Sequence, residues 1–187
     1  MEVLETNING CFEINPKLIY DSRGYFYESF NAARFREKTG LNIQFVQDNQ
    51  SFSERGVLRG LHLQKGIHAQ AKLVSVLKGK VLDVAIDLRK DSETFGEVYR
   101  TLLSEENKKQ LFIPRGCAHG FVVLSETCLF FYKCDNYYHK ASEAGIIYDD
   151  EDLGIDWQLA KDELIISDKD LVLPSFKDYI SEYSEVN

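Results

Sequence analysis

The chain has 187 residues, 44% hydrophobic and 28% charged. These proportions suit one globular domain and exclude disordered and collagen-like classes. Its net charge of −8 argues against nucleic acid and anionic membrane as partners, and no apolar run approaches the ~20 residues of a membrane span. The acidic, polar start MEVLETNING does not read as a secretory signal, and the four cysteines (Cys11, Cys117, Cys128, Cys134) show no CxxC pair. Free thiols in a reducing cytoplasm are the expectation.

Taken in chain order, Asn31 to Lys38 reads as a short helix with Asn31 as N-cap and Gly40 just past its end. A period of two follows. Leu73–Leu77 and Val81–Leu88, joined at Lys78-Gly79, predict a hairpin. Its second arm puts Val81, Asp83, Ala85 and Asp87 on one face, with Leu82, Val84, Ile86 and Leu88 on the other. Val98–Leu103, Lys109–Ile113, Gly120–Leu124 and Thr127–Cys134 are further strands. Ser175 and Asp178 resemble a capping box before a helical segment at about 175–184, with Phe176, Ile180 and Tyr183 at helical spacing. The expectation is one all-β domain over residues 1–187, a sandwich or barrel with short peripheral helices.

Histidine is scarce, at four residues. His62 lies in the strand-like Arg59-Gly-Leu-His62-Leu-Gln64, and a turn at 114–116 delivers His119 onto a strand; each reads locally as structural or as acid–base. His68 and His139 sit in apparent loops. Tyr132 shares a strand face with Cys128, Phe130 and Cys134, either as a core aromatic or as a general acid in a shielded cleft. Arg23, Arg59, Lys72 and Lys169 are individually surface residues but together suit phosphates. Asp170 either turns the chain or orients an imidazole. The Pro-x-Gly-x-x-His run at 114–119 matches the second metal motif of the cupins. The first motif reads His62-Leu63-Gln64, with Lys72 where a carboxylate is needed. A site of three or four metal ligands cannot be assembled from these residues.

Ordered blocks along nearly the whole chain carry a more specific signal. They include Asp21-Ser-Arg-Gly-Tyr-Phe-Tyr-Glu28, Gly56-Val-Leu-Arg-Gly-Leu-His62, Ala69-Gln-Ala-Lys72, Asp83-Val-Ala-Ile-Asp-Leu-Arg89, Phe131-Tyr-Lys133 and Ser167-Asp-Lys-Asp170. In these the chain resembles the dTDP-4-dehydrorhamnose 3,5-epimerases, a family of metal-independent cupins. The resemblance implies a cupin jelly roll (double-stranded β-helix), a homodimer, no cofactor, and a nucleotide-sugar substrate, dTDP-4-keto-6-deoxy-D-glucose, inverted at C3 and C5 on the way to dTDP-L-rhamnose.

By matching position, the resemblance makes His62 the base, Asp170 its partner, Tyr132 the acid on the opposite sugar face, and Lys72 the cation beside the C4 oxygen. Arg23, Glu28, Gln47, Asp48, Asn49, Arg59, His119, Glu143 and Lys169 match substrate-contacting positions, and Tyr137 or Tyr138 stacks on thymine. The sequence departs at Gln50, Leu63 and Lys65-Gly-Ile67. These departures leave open another keto sugar or a single inverted centre. A non-catalytic sugar-binding jelly roll is the alternative from a different class, and it would require no acid–base set. Arg59 and His62 would face opposite sides of a regular strand, so both can meet substrate only if Gly60 admits a bulge.

Overall fold

Thr127–Cys134 forms a strand over the span its alternation predicts, and it pairs on both sides. The structure, a computed structural model, describes residues 1–184. Strands β1 (Glu2–Glu5), β2 (Phe12–Asn15), β3 (Ile19–Asp21) and β4 (Gly24–Phe26) precede helix α1 (Ala32–Thr39). Next come β5 (Gln47–Glu54), β6 (Leu58–Gln64), β7 (Lys72–Lys78), β8 (Lys80–Asp87) and β9 (Val98–Ser104). They are followed by β10 (Gln110–Ile113), β11 (Cys117–Val123), β12 (Thr127–Cys134), β13 (Glu143–Gly145) and α2 (Phe176–Ser184).

Two antiparallel sheets, ordered β1-β2-β10-β7-β12-β5 and β13-β6-β11-β8-β9, face one another as a jelly roll, and β3-β4 forms a separate hairpin. Val74, Val76, Leu111 and Phe130 from the first sheet meet Val81, Ala85, Leu103 and Phe121 from the second in the space between. The outer face of the second sheet, with Leu82, Val84 and Ile86, is covered by Ile146, Tyr148, Trp157 and Tyr179 of the C-terminal segment. Both faces of β8 are therefore buried, in the alternation its sequence predicts.

Asn31 caps α1 by accepting from the Arg34 amide, and Gly40 closes it in a left-handed conformation. Phe35 from that helix is 1% exposed and packs edge-on against Phe112 on the outer face of the first sheet. Ser175 receives the Asp178 amide at 3.1 Å, as the capping reading of α2 requires. The Tyr183 side chain lies outside the described residues.

One expectation is corrected. Leu73–Leu77 and Val81–Leu88 do not pair as a hairpin: β7 bonds β10 and β12, whereas β8 bonds β9 and β11. Gly79 (φ +85) turns the chain from one sheet into the other, so the two strands face each other across the sandwich. Local alternation specifies strands, but partner choice depends on the whole barrel. Among the described residues no helix is long and apolar enough to cross a membrane.

Candidate active site

A cavity of about 630 Å³ opens between the two sheets, walled by β5, β6, β7, β11, β12, β13 and the segment 165–170. Of the residues singled out from sequence, it brings together Asn49, Arg59, His62, Lys72, His119, Tyr132, Glu143, Lys169 and Asp170.

The placement of Arg59 beside His62 depends on a bulge. His119 pairs with His62 and Phe121 with Arg59, so Gly60 and Leu61 on β6 oppose the single Gly120 on β11. Gly60 has φ +138, and a Cβ there would lie 2.5 Å from the Gly120 Cα. Only glycine suits such a backbone at such an approach. The extra residue restores Arg59 to the cavity side.

His62 Nε2 lies 2.8 Å from Asp170 Oδ1, and the Gly60 amide donates to the other oxygen at 3.4 Å. Asp170 is 2% exposed. Burial alone would raise its pKa, but the His62 hydrogen bond and charge, with the Gly60 amide, hold it below the usual carboxylate range. An ionised Asp170 accepts, so His62 Nε2 donates and Nδ1 carries the lone pair. A turn closed by the Asp170 amide on Ser167 O sets the carboxylate in place.

Tyr132 enters from β12 on the opposite sheet, and burial pushes its pKa above the ordinary phenol value. Its hydroxyl therefore keeps its proton. Lys72 from β7 also lines the cavity, and its ammonium donates to the His62 carbonyl at 3.4 Å. His119 Nε2 meets Asp83 Oδ2 at 2.9 Å, and burial lowers the His119 pKa.

At the rim, Glu143 accepts from Lys169 at 2.9 Å and from the Tyr138 hydroxyl at 3.2 Å. Gln47 accepts from the Tyr138 amide and donates to Asn49. Tyr138 is thereby tied to the site through two of its groups.

Four expected positions lie outside the cavity lining of this chain: Arg23, Glu28, Gln47 and Asp48. Asp48 pairs with Lys133, Glu28 with Arg34, and Arg23 with Asp21 on the hairpin β3-β4. Of the departures noted in sequence, Leu63 is buried in the second core cluster, while Gln50 lines the cavity. Ile165 and Ile166 also line it without having been marked by any sequence signal, and Ser167, which begins one of the ordered blocks, lines it too. Asp83, which begins one of the ordered blocks, was assigned no role from sequence. Among the described residues no group of three or more His, Cys, Asp or Glu side chains is placed to hold a metal ion.

Proton abstraction on one side of a bound molecule and donation from the other is the chemistry this arrangement suits, with a cation lining the same cavity for a developing oxyanion. The family model described as dTDP-4-dehydrorhamnose 3,5-epimerase matches residues 5–178. The dTDP-4-dehydrorhamnose 3,5-epimerase of Methanothermobacter thermautotrophicus is 52% identical over 168 residues, 89% of this chain and 90% of that one. The crystal structure of the corresponding epimerase from Elizabethkingia anophelis NUHP1 is 58% identical with a TM-score of 0.93, covering 95% of this chain and 97% of that one. An epimerase of Legionella pneumophila, solved in complex with dTDP-4-keto-L-rhamnose, is 48% identical with a TM-score of 0.91, covering 97% and 95%.

Proposed function

The chain belongs to the dTDP-4-dehydrorhamnose 3,5-epimerase family, and from that premise we propose how its residues invert C3 and C5 of dTDP-4-keto-6-deoxy-D-glucose. The C4 ketone acidifies the hydrogens on both flanking carbons. His62 Nδ1 takes the proton, the C–H electron pair moves into the ring, and the C4 oxygen becomes an enolate oxyanion. Lys72 stabilises that oxygen. Tyr132 then gives its hydroxyl proton to the carbon from the opposite face, which inverts the centre. Solvent returns a proton to the tyrosine and removes one from the imidazole before the second centre reacts.

Asp170 keeps His62 in one tautomer and balances the imidazolium. Acid–base catalysis supplies roughly 10²–10⁴-fold. A cation at the oxyanion adds about 3–4 kcal/mol, the scale of a lost oxyanion donor. The observation that carries the reading is the His62–Asp170 pair lining one cavity with Tyr132 from the opposite sheet. Arg59, Lys169, Asn49 and His119 are the contacts we assign to the nucleotide sugar, and Tyr138, anchored by Glu143 and Gln47, is the tyrosine we assign to thymine.

Incubation with dTDP-4-keto-6-deoxy-glucose in deuterated water, followed by NMR, tests this. Deuterium at C3 and C5 with L-lyxo product is the expected result. Deuterium at C3 alone identifies a single-centre epimerase, and no exchange defeats the reading.

We also assign the active form as a cytoplasmic homodimer. The hairpin β3-β4 exposes Ile19, Tyr20, Tyr25 and Phe26, an apolar surface of the kind that marks interaction sites. Arg23 on it, and Glu28 after it, lie outside the lining of their own cavity, so the arm of one copy is suited to complete the site of another. The four buried cysteines are free thiols, as a reducing compartment allows. Light scattering should give twice the chain mass at micromolar concentration; a monomer mass refutes the dimer.

A further inference from the structure

Arg59 reaches the cavity from β6, and its guanidinium Nε donates across the sandwich to Ser53 Oγ on β5 at 3.2 Å. Ser53 is 5% exposed and does not itself line the cavity. It lies on the more buried face of β5, and its cross-strand partner is Cys128, a member of the apolar cluster between the sheets. A hydroxyl at such a place is unfavourable unless it is hydrogen-bonded, and a small apolar side chain would fill the position without that demand. What the serine adds there is an acceptor for Arg59.

The kind of acceptor sets Arg59 apart. Arg55, Arg89 and Arg115 are anchored by the carboxylates of Glu163, Asp87 and Asp135, at 3.4, 2.7 and 2.8 Å. Among the described residues Arg59 has no carboxylate partner, and its one hydrogen bond goes to a neutral oxygen. A carboxylate at position 53 would also hold the guanidinium, but it would offset the charge that an anionic ligand requires. A hydroxyl fixes the orientation and leaves the charge whole.

The other cations at the cavity are committed elsewhere. Lys169 pairs with Glu143 at 2.9 Å, and Lys72 donates to the His62 carbonyl. Arg59 is left for the most strongly anionic part of a nucleotide sugar, its diphosphate. With the Nε edge occupied, the two terminal nitrogens remain, and they form a planar pair that matches two phosphate oxygens. A guanidinium already held in one orientation loses less rotamer freedom when the ligand arrives.

We propose that Ser53 is a positioning residue for substrate binding: from the facing sheet it takes the Nε edge of Arg59 and so presents the terminal nitrogens to the diphosphate. The bulge at Gly60 brings Arg59 to the cavity side, and Ser53 fixes where its guanidinium then points. The inference rests on the nucleotide-sugar contact assigned to Arg59 above.

The test compares the unaltered protein with S53A, R59M and the double variant. Affinity for dTDP, read by calorimetry, should fall about tenfold in S53A, the scale of one hydrogen bond to a charged group. Affinity for thymidine, which lacks the diphosphate, should be unmoved when read by NMR. In turnover the loss should fall on KM rather than kcat, as for an interaction made equally in ground and transition states. S53A should cause no further loss of dTDP affinity in the R59M background.

A second measurement needs no Ser53 variant. The Arg59 Nε–H resonance of ¹⁵N-labelled protein, identified by its loss in R59M, should exchange with water at least about tenfold more slowly than a free arginine side chain. Exchange at the free rate overturns the proposal. So does an S53A protein that loses dTDP and thymidine affinity alike, or losses that multiply in the double variant. If R59M is weakened for dTDP and S53A is not, the role of Ser53 alone falls. If R59M binds dTDP as tightly as the unaltered protein, the contact assigned to Arg59 falls and takes the inference with it.

Discussion

Arg59 and His62, three positions apart on one strand, point into the same cavity. The bulge that allows this requires Gly60 and Gly120 to meet backbone to backbone, because a Cβ on Gly60 would lie 2.5 Å from the Gly120 Cα. The same turn of backbone sends the Gly60 amide to Asp170. His62, Asp170 and Arg59 are thus set by one local irregularity.

Gly60→Ala should therefore damage activity more than folding. The new methyl forces β6 and β11 apart and moves His62 relative to Asp170, and a displacement of ~1 Å at a reacting group is enough for about 10²-fold. A loss of that size in kcat/KM, in a protein whose far-ultraviolet dichroism is unchanged, is the expected result. Full activity would show that the bulge does not place the base.

Asp170→Asn keeps the shape of the pair but reverses its hydrogen-bond preference, so His62 can settle in the wrong tautomer. The kcat should fall by up to about 10⁴-fold, as in other imidazole–carboxylate pairs. Nucleotide affinity, measured by calorimetry with dTDP, should stay near that of the unaltered protein. His62→Ala should be nearly inactive while still binding dTDP. Combining the two should add little, since both act through one imidazole.

Tyr132→Phe separates the two half-reactions. Proton abstraction by His62 persists, so substrate hydrogens should still wash out into deuterated water. Delivery from the far face should slow by roughly 10²–10⁴-fold. Exchange without matching inversion is the signature, and NMR reads both from one sample. Because burial holds the Tyr132 proton above the ordinary phenol range, the unaltered enzyme should keep this acid protonated through mildly alkaline pH. A Tyr132→Phe protein that inverts both centres at the parent rate would return Tyr132 to a packing role.

Asp87 anchors the loop after β8 and carries a pH signature. Burial alone would raise its pKa, but hydrogen bonds from Arg89, Ser92 and Thr94 lower it from 3.8 to about 2. A folded-state pKa below the unfolded value contributes stability above the unfolded pKa and loses it as pH falls toward the folded one. Asp87→Asn should lower the melting temperature at pH ~7, by an amount corresponding to about 3 kcal/mol for a broken buried pair. The gap between the two proteins should narrow between pH 3.8 and about 2. Parallel melting curves down to that pH would contradict the assignment.

Strands β7 to β12 were legible in the sequence because each is short, alternates and ends at a polar turn, whereas β1 to β5 and β13 carried no such reading. Thr127–Cys134 and the two faces of β8 needed nothing more than period two. Capping chemistry did the same for α1 and α2, since Asn31, Gly40 and Ser175 act on amides within a few residues of themselves. The identity of His62, Lys72, Tyr132 and Asp170 as a set came from many ordered blocks read together, because no single one of them is distinctive.

Partners distant in the chain were decided only by the tertiary structure. Leu73–Leu77 and Val81–Leu88 read as a hairpin locally, yet lie in opposite sheets because hydrogen-bond partners are chosen by closure of the whole sandwich. His62 and Asp170 are 108 positions apart and meet because β6 bulges toward the turn at 167–170. His119 and Asp83, 36 positions apart, meet at 2.9 Å because the sandwich pairs β11 with β8 and closes both away from water.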